Sequence, residues 1–269
     1  HYAAGMEAQS NGRFEEARQN LMKAVELDPK FGIGYNALAA ASRNLGRVQD
    51  AETYTNEALK YLDGMTERER YSTRGLYYRL TGDFQLCVKE YGELVTRYAA
   101  DIVGRNQRAL CMSKLRQLQG AVEEMRYVVN MLPNRPLFRD NLAFYSDYAG
   151  DFETAEKEAL TVGDTDGPAL QALAFSQVGR GRHTEAVATF AKLRALNAGG
   201  ASAAASGLAD IAAVEGRYGD AIKILNDAVA VDLAAKSADR AANKLSAIAY
   251  AELSRGQTRA AVAAAEKAL

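Results

Sequence analysis

The 269 residues carry 33 basic and 34 acidic side chains, a formal net charge of −1, which argues against a general nucleic-acid binder or a protein built for anionic membranes. Two cysteines and one internal histidine cannot make a structural zinc set, and no apolar run approaches the ~18 residues needed to cross a bilayer. The length allows two domains, but the chain repeats itself, and a repeat must be read first.

In chain order the turn glycines are Gly12, Gly46, Gly82, Gly150, Gly181, Gly216 and Gly256, with Arg116 in the one gap. The steps between them are 34, 36, 34, 34, 31, 35 and 40 residues. Five residues after each turn stands a small side chain: Ala17, Ala51, Cys87, Ala121, Ala155, Ala186, Ala221 and Ala261. Seven before each stands another: Gly5, Ala39, Gly75, Ala109, Ala143, Ala174, Ala209 and Ala249. Helical spacing flanks the turns. In the second unit Tyr35, Leu38, Ala39 and Leu45 share a face before Gly46, and Val48, Ala51, Thr55, Ala58 and Leu59 mark a second amphipathic helix after it. A turn as short as Leu45-Gly46-Arg47 folds the helices back as an antiparallel pair. The small residues then mark close crossings, where a larger side chain would cost ~1–3 kcal/mol in overpacking.

The best-formed unit reads Gly12-Arg13-Phe14-Glu15-Glu16-Ala17 and runs through Leu21, Ala24, Val25, Leu27, Asp28 and Pro29. Tyr35 and Tyr71 stand early in first helices, and Gly75 with Tyr78 makes a small-then-aromatic step. This pattern resembles the tetratricopeptide repeat (TPR), a helix–turn–helix unit of 34 residues. The resemblance implies an all-α, right-handed superhelical solenoid of about eight antiparallel helix pairs. The expected units are 1–31, 32–67, 68–101, 102–135, 136–166, 167–201, 202–241 and 242–269, one solenoid over 1–269. Because His1 opens partway through a first helix, without an initiator Met, and Leu269 stops within a second, an excised piece of a longer protein is expected. The stretch Tyr61–Asp83 further resembles the repeat region of some bacterial serine/threonine protein kinases, which implies a docking or sensing role beside a kinase domain outside this chain.

Chemistry is sparse. His183 takes the wedge position that Phe14, Phe84 and Tyr218 hold elsewhere, with no catalytic partner implied. Gly179-Arg180-Gly181-Arg182 falls on a repeat turn and lacks the strand a phosphate loop needs. Asp164-Thr165-Asp166-Gly167 lacks the later ligands of a calcium loop, so a helix-capping turn before Pro168 is expected. Arg68, Arg70, Arg74 and Arg79 mingle with Tyr71, Tyr77 and Tyr78, a mixture that can hold nucleic-acid strands. Glu67 and Glu69 interrupt that charge, so nucleic acid is not expected. Neither catalysis nor a cofactor or metal is expected. Cys87 and Cys111 are expected as buried thiols, with a disulfide left open.

In the family the first helices line a concave groove that takes protein or peptide. Carried over unit by unit, its positions are Asn36, Arg43 and Asn44; Ser72 and Arg79; Asn106, Ser113 and Lys114; Asp140, Phe144, Asp147 and Tyr148; Gln171 and Phe175. The groove is expected to run from basic and polar to acidic and aromatic, with exposed aromatic anchors. The register Asn36, Ala40, Thr73, Val103 and Gln107 breaks the two-carboxylate clamp by which some family members hold chaperone tails. Ala198–Ser206 reads as a flexible loop entering an Ala-rich helix, and the 40-residue step near Asp232–Arg240 as a lengthened helix or loop. Either feature would suit self-association, so a homo-oligomer stays open. Membrane insertion is not expected. The compartment is open between the cytoplasm and the extracytoplasmic side of a membrane-anchored parent.

Overall fold

Every turn glycine adopts the conformation its residue type allows. Gly12, Gly46, Gly82, Gly150, Gly181, Gly216 and Gly256 have φ between 73° and 81°, and Arg116 takes the same left-handed region at 60°. A computed structural model describes residues 1–269, and the chain is all helix. It divides into two compact units, His1–Met131 and Leu132–Leu269.

The first unit holds α1 (Tyr2–Ser10), α2 (Phe14–Leu27), α3 (Gly32–Asn44), α4 (Val48–Lys60), α5 (Glu67–Thr81), α6 (Phe84–Arg97), α7 (Ile102–Lys114) and α8 (Leu118–Met131), with a 3-10 turn at Leu62–Gly64. The second holds α9 (Pro136–Ala149), α10 (Phe152–Val162), α11 (Gly167–Gly179), α12 (His183–Leu196), α13 (Ala198–Val214), α14 (Tyr218–Ala234), α15 (Ala238–Ser254) and α16 (Thr258–Ala268). Within each unit successive helices pack on each other, and first helices also touch the next first helix, as α3 touches α5 and α11 touches α13. No helix is long and apolar enough to cross a membrane.

The small residues sit where the helices come closest. All eight at the position five after the turn are buried. A Cβ on Gly75 would lie 2.6 Å from the Tyr91 ring, so the α5–α6 crossing is filled by that tyrosine. Ala249 is the exception among the earlier set, being only partly buried. Ion pairs repeat with the same period. Arg74 Nε meets Glu90 at 2.7 Å, and 34 residues on Arg108 meets Glu124 at 2.7 Å. Likewise Arg105 binds Glu124 at 2.7 Å, and Arg139 binds Glu158 one period later.

Two expectations fail. Cys87 of α6 and Cys111 of α7 are not thiols but a disulfide, their Cα atoms 6.2 Å apart. The side chains meet across the α6–α7 contact at a separation that suits the bond. The Ala-rich helix expected within Ala198–Ser206 forms, but no loop opens it. The Asn197 side chain accepts from Gly200 N at 2.9 Å and caps a helix that begins at once. The 40-residue step does lengthen helices: α14 and α15 have 17 residues each. A left-handed Lys236 at φ 56° makes the turn between them.

Candidate functional site

The first helices of the first unit present one side chain after another to a shared surface. A pocket of about 280 Å³ is lined by Gln9 of α1, Asn36 and Asn44 of α3, Ser72 and Arg79 of α5, and Gln107 of α7. Four expected residues, Asn36, Asn44, Ser72 and Arg79, therefore come together. Arg43 and Lys114 are exposed, and with the partly buried Asn106 and Ser113 they lie outside the pocket wall.

The pocket is built around groups held in place. Asp101 caps α7 by accepting from Gly104 N at 2.7 Å, and its other oxygen takes Arg68 Nε at 2.7 Å. Tyr91, which also lines the pocket, has its phenol pushed up to about 12 by burial. Against this framework three amide oxygens stand buried without a partner: Gln9 Oε1, Asn36 Oδ1 and Gln107 Oε1. An unpaired buried acceptor costs about 1–3 kcal/mol, so the packing around the pocket holds these three amides at a cost.

Gln9 was not among the expected residues, although it stands three before Gly12, as Arg43 and Arg79 stand before their turns. The register marks it, although the expected groove begins only with the second unit. Two arginines of the Arg68–Arg79 stretch are engaged by acidic side chains of the chain itself. Arg68 holds Asp101, and Arg74 holds Glu90 and lies 5.0 Å above the Tyr71 ring.

In the second unit the acidic and aromatic candidates differ from expectation. Asp140, Phe144 and Asp147 follow one face of α9, but Asp140 and Asp147 are 5% and 8% exposed. Burial raises the Asp147 carboxyl to about 8, and neither oxygen has a partner. Burial, then the charge of Asp166, raises Asp140 to about 7. Phe144 and Phe175 are not exposed anchors. Their rings meet edge to face at 6.4 Å, and Phe175 meets the buried Phe190 at 6.3 Å. Gln171 is partly buried on α11, and Tyr148 alone of the α9 set is exposed. Packing of α9 on α11 thus consumes a face that the repeat phase assigned to a partner.

Two further motifs settle locally. Asp166 Oδ1 accepts from Ala169 N at 3.0 Å and caps α11, as expected of that turn. His183 opens α12 and sets Nδ1 3.1 Å from Glu215 Oε1, so its ring makes a polar contact as well as occupying the wedge position.

Residues 1–31 match the family model described as tetratricopeptide repeat. No curated protein sequence matches the chain significantly. Among solved structures, one from the APC/C hetero-tetramer Cut9–Hcn1 aligns over 95% of this chain at 16% identity with a TM-score of 0.66. This chain spans about half of that one, 49%. A tetratricopeptide repeat protein from Parabacteroides merdae aligns over 83% of this chain and 89% of its own, at 15% identity and a TM-score of 0.56. A human IFIT1 dimer with PPP-AAAA aligns over 94% of this chain and 58% of its own, at 17% identity and a TM-score of 0.55. The chain has the fold of these TPR structures, and its first 31 residues carry that family's sequence signature.

Proposed function

We propose that the chain is a non-catalytic scaffold that binds an extended peptide segment of a protein partner in the first-unit pocket. The observation that carries this is the row of amide side chains, Gln9, Asn36 and Gln107 on α1, α3 and α7, that lines one pocket beside Ser72 and Arg79 of α5. Main-chain N–H groups of an extended peptide are the donors such a row suits, because they recur at regular intervals and are strong. Arg79 and Asn44 add contacts for side chains. The resemblance of Tyr61–Asp83 to kinase-linked repeats supports a narrower version, in which the scaffold docks partners for a bacterial signalling kinase.

A pull-down from the source lysate, followed by titration calorimetry with the captured segment, tests the reading. Asn36→Leu with Arg79→Ala should weaken binding at least tenfold without unfolding the chain. Unchanged affinity would sink the pocket assignment.

A second reading, self-association, has its own observation. Val214 and Tyr250, 70% and 71% exposed, line an apolar pocket of about 360 Å³ between α13 and α15. Light scattering over a concentration series that finds a monomer throughout removes it.

A further inference from the structure

In the second unit a pocket of about 380 Å³ opens between the end of α12, the start of α13 and the second half of α14. Ala205 and Ala228 leave the room, while Leu208 and Ile224 make the wall apolar. Such a volume, mostly apolar with few polar groups, has the character of a small-molecule or anchor-residue site.

One wall is charged in an unusual way. Asp232 of α14 lines the pocket and is 3% exposed. Its Oδ2 accepts from Ser202 Oγ of α13 at 3.0 Å and from Lys244 Nζ of α15 at 2.7 Å, and Lys244 also donates to Ser202 at 2.6 Å. The other oxygen, Oδ1, enters no hydrogen bond within the chain and is not among its inaccessible unpaired atoms. It is therefore the unpaired oxygen of a carboxylate that lines the pocket. A buried ion pair generally gives no more stability than well-packed hydrocarbon of the same volume, so packing alone does not explain three helices converging on this one.

The local charges say what kind of molecule fits. Lys244 neutralises Asp232, and the two other charged residues that line the pocket, Arg194 and Asp227, contribute one charge of each sign. Neither a cation nor an anion is favoured; a neutral body with one donor at its edge is. Rigid aromatic rings with a single N–H or O–H match that description, since they bury a large apolar area while the polar edge finds an acceptor.

We infer that this pocket binds an indole or phenol group, its N–H or O–H donating to Asp232 Oδ1 and its ring packed between Ala205 and Ala228. The group belongs either to a free small molecule or to a Trp or Tyr side chain of a bound peptide. The site is separate from the first-unit pocket and does not rest on the function proposed there.

The test is a titration of the ¹⁵N-labelled full chain with indole, followed by amide shifts. Saturable shifts confined to residues around 201–208 and 224–232 are expected. Indene, of the same ring size and shape but without the N–H, should bind about tenfold more weakly, because a hydrogen bond to a charged group is lost. Ala228→Leu, which fills the pocket without touching the ion pair, should weaken indole at least tenfold at unchanged Tm. N-acetyl-tryptophanamide distinguishes the sources: binding equal to indole supports a peptide side chain, and exclusion supports a free small molecule. Absence of saturable shifts, equal affinity for indene, or unaltered binding in Ala228→Leu would overturn the proposal.

Discussion

Lys244 on α15 sets its ammonium 2.7 Å from the Asp232 carboxylate of α14, with both side chains 4% exposed. Removing one partner leaves the other charged and buried. Lys244→Met should therefore destabilise the chain by about 3–5 kcal/mol in urea unfolding. Lys244→Met combined with Asp232→Leu should recover most of that loss, because hydrocarbon then replaces the pair. A double variant no more stable than Lys244→Met would mean that the packing of the three helices, rather than the unpaired charge, sets the cost.

The buried carboxyls of α9 give stability a pH dependence of a definite sign. In the unfolded chain an Asp ionises near its ordinary value of about 3.8, whereas Asp147 and Asp140 are held up at about 8 and about 7 when folded. Between those limits the folded state binds more protons than the unfolded one, so stability falls as pH rises. Their favourable contribution is full below about pH 4 and is lost progressively by about pH 8. Asp147→Asn removes the charge while keeping the shape. It should stabilise the chain by about 2–4 kcal/mol more at pH 8 than at pH 5, since ionising the buried carboxyl costs about 1.4 kcal/mol per pH unit over that range, and flatten the profile. Equal effects of the substitution at pH 5 and pH 8 would contradict this assignment.

How much could be read from the sequence follows from which physics is local. A left-handed turn and a tight crossing each restrict residue type at one position, so Gly46 with Ala51, or Gly216 with Ala221, betray the fold without any knowledge of neighbours. The candidate groove residues are different. Arg79 and Asp147 occupy the same place before their turns, yet Arg79 lines an open pocket and Asp147 is buried. Exposure there depends on the residues opposite. Ser202, Asp232 and Lys244 come from three helices, so no spacing along the chain announces their meeting. Spacing does not announce the Cys87–Cys111 bond for the same reason: the two positions have different repeat phases and meet only once α6 packs on α7.

The two turns lacking glycine are predicted to be strained. Arg116 at φ 60° and Lys236 at φ 56° hold L side chains in a region that costs roughly 1–2 kcal/mol per residue. Glycine relieves that strain, while its greater freedom in the unfolded chain offsets part of the gain. Arg116→Gly and Lys236→Gly should each stabilise by about 0.5–1 kcal/mol. Because the residues lie in separate compact units, their effects on the denaturation midpoint should add. A loss of stability in either variant would show that the long side chain makes a contact worth more than the strain.

The disulfide offers the cleanest test of what covalent closure adds to a repeat fold. Cys87 and Cys111 are 24 residues apart, and closing a loop of that length stabilises by roughly 3.5 kcal/mol in the chain-entropy treatment. The usual confounder is damaged packing, and here the repeat supplies the control. Alanine occupies the Cys87 position in the other seven units, and Ala41 and Ala251 occupy the Cys111 position in two of them. Cys87→Ala with Cys111→Ala should therefore keep the helices in place, with an unchanged helical circular-dichroism spectrum. The oxidised parent should exceed this variant by about 2–4 kcal/mol in urea unfolding, and a reductant should lower the parent alone toward the same midpoint. If reduction left the parent's midpoint where it was, the bond would be absent from the folded protein in solution, and the two positions would be the buried thiols that the sequence suggests.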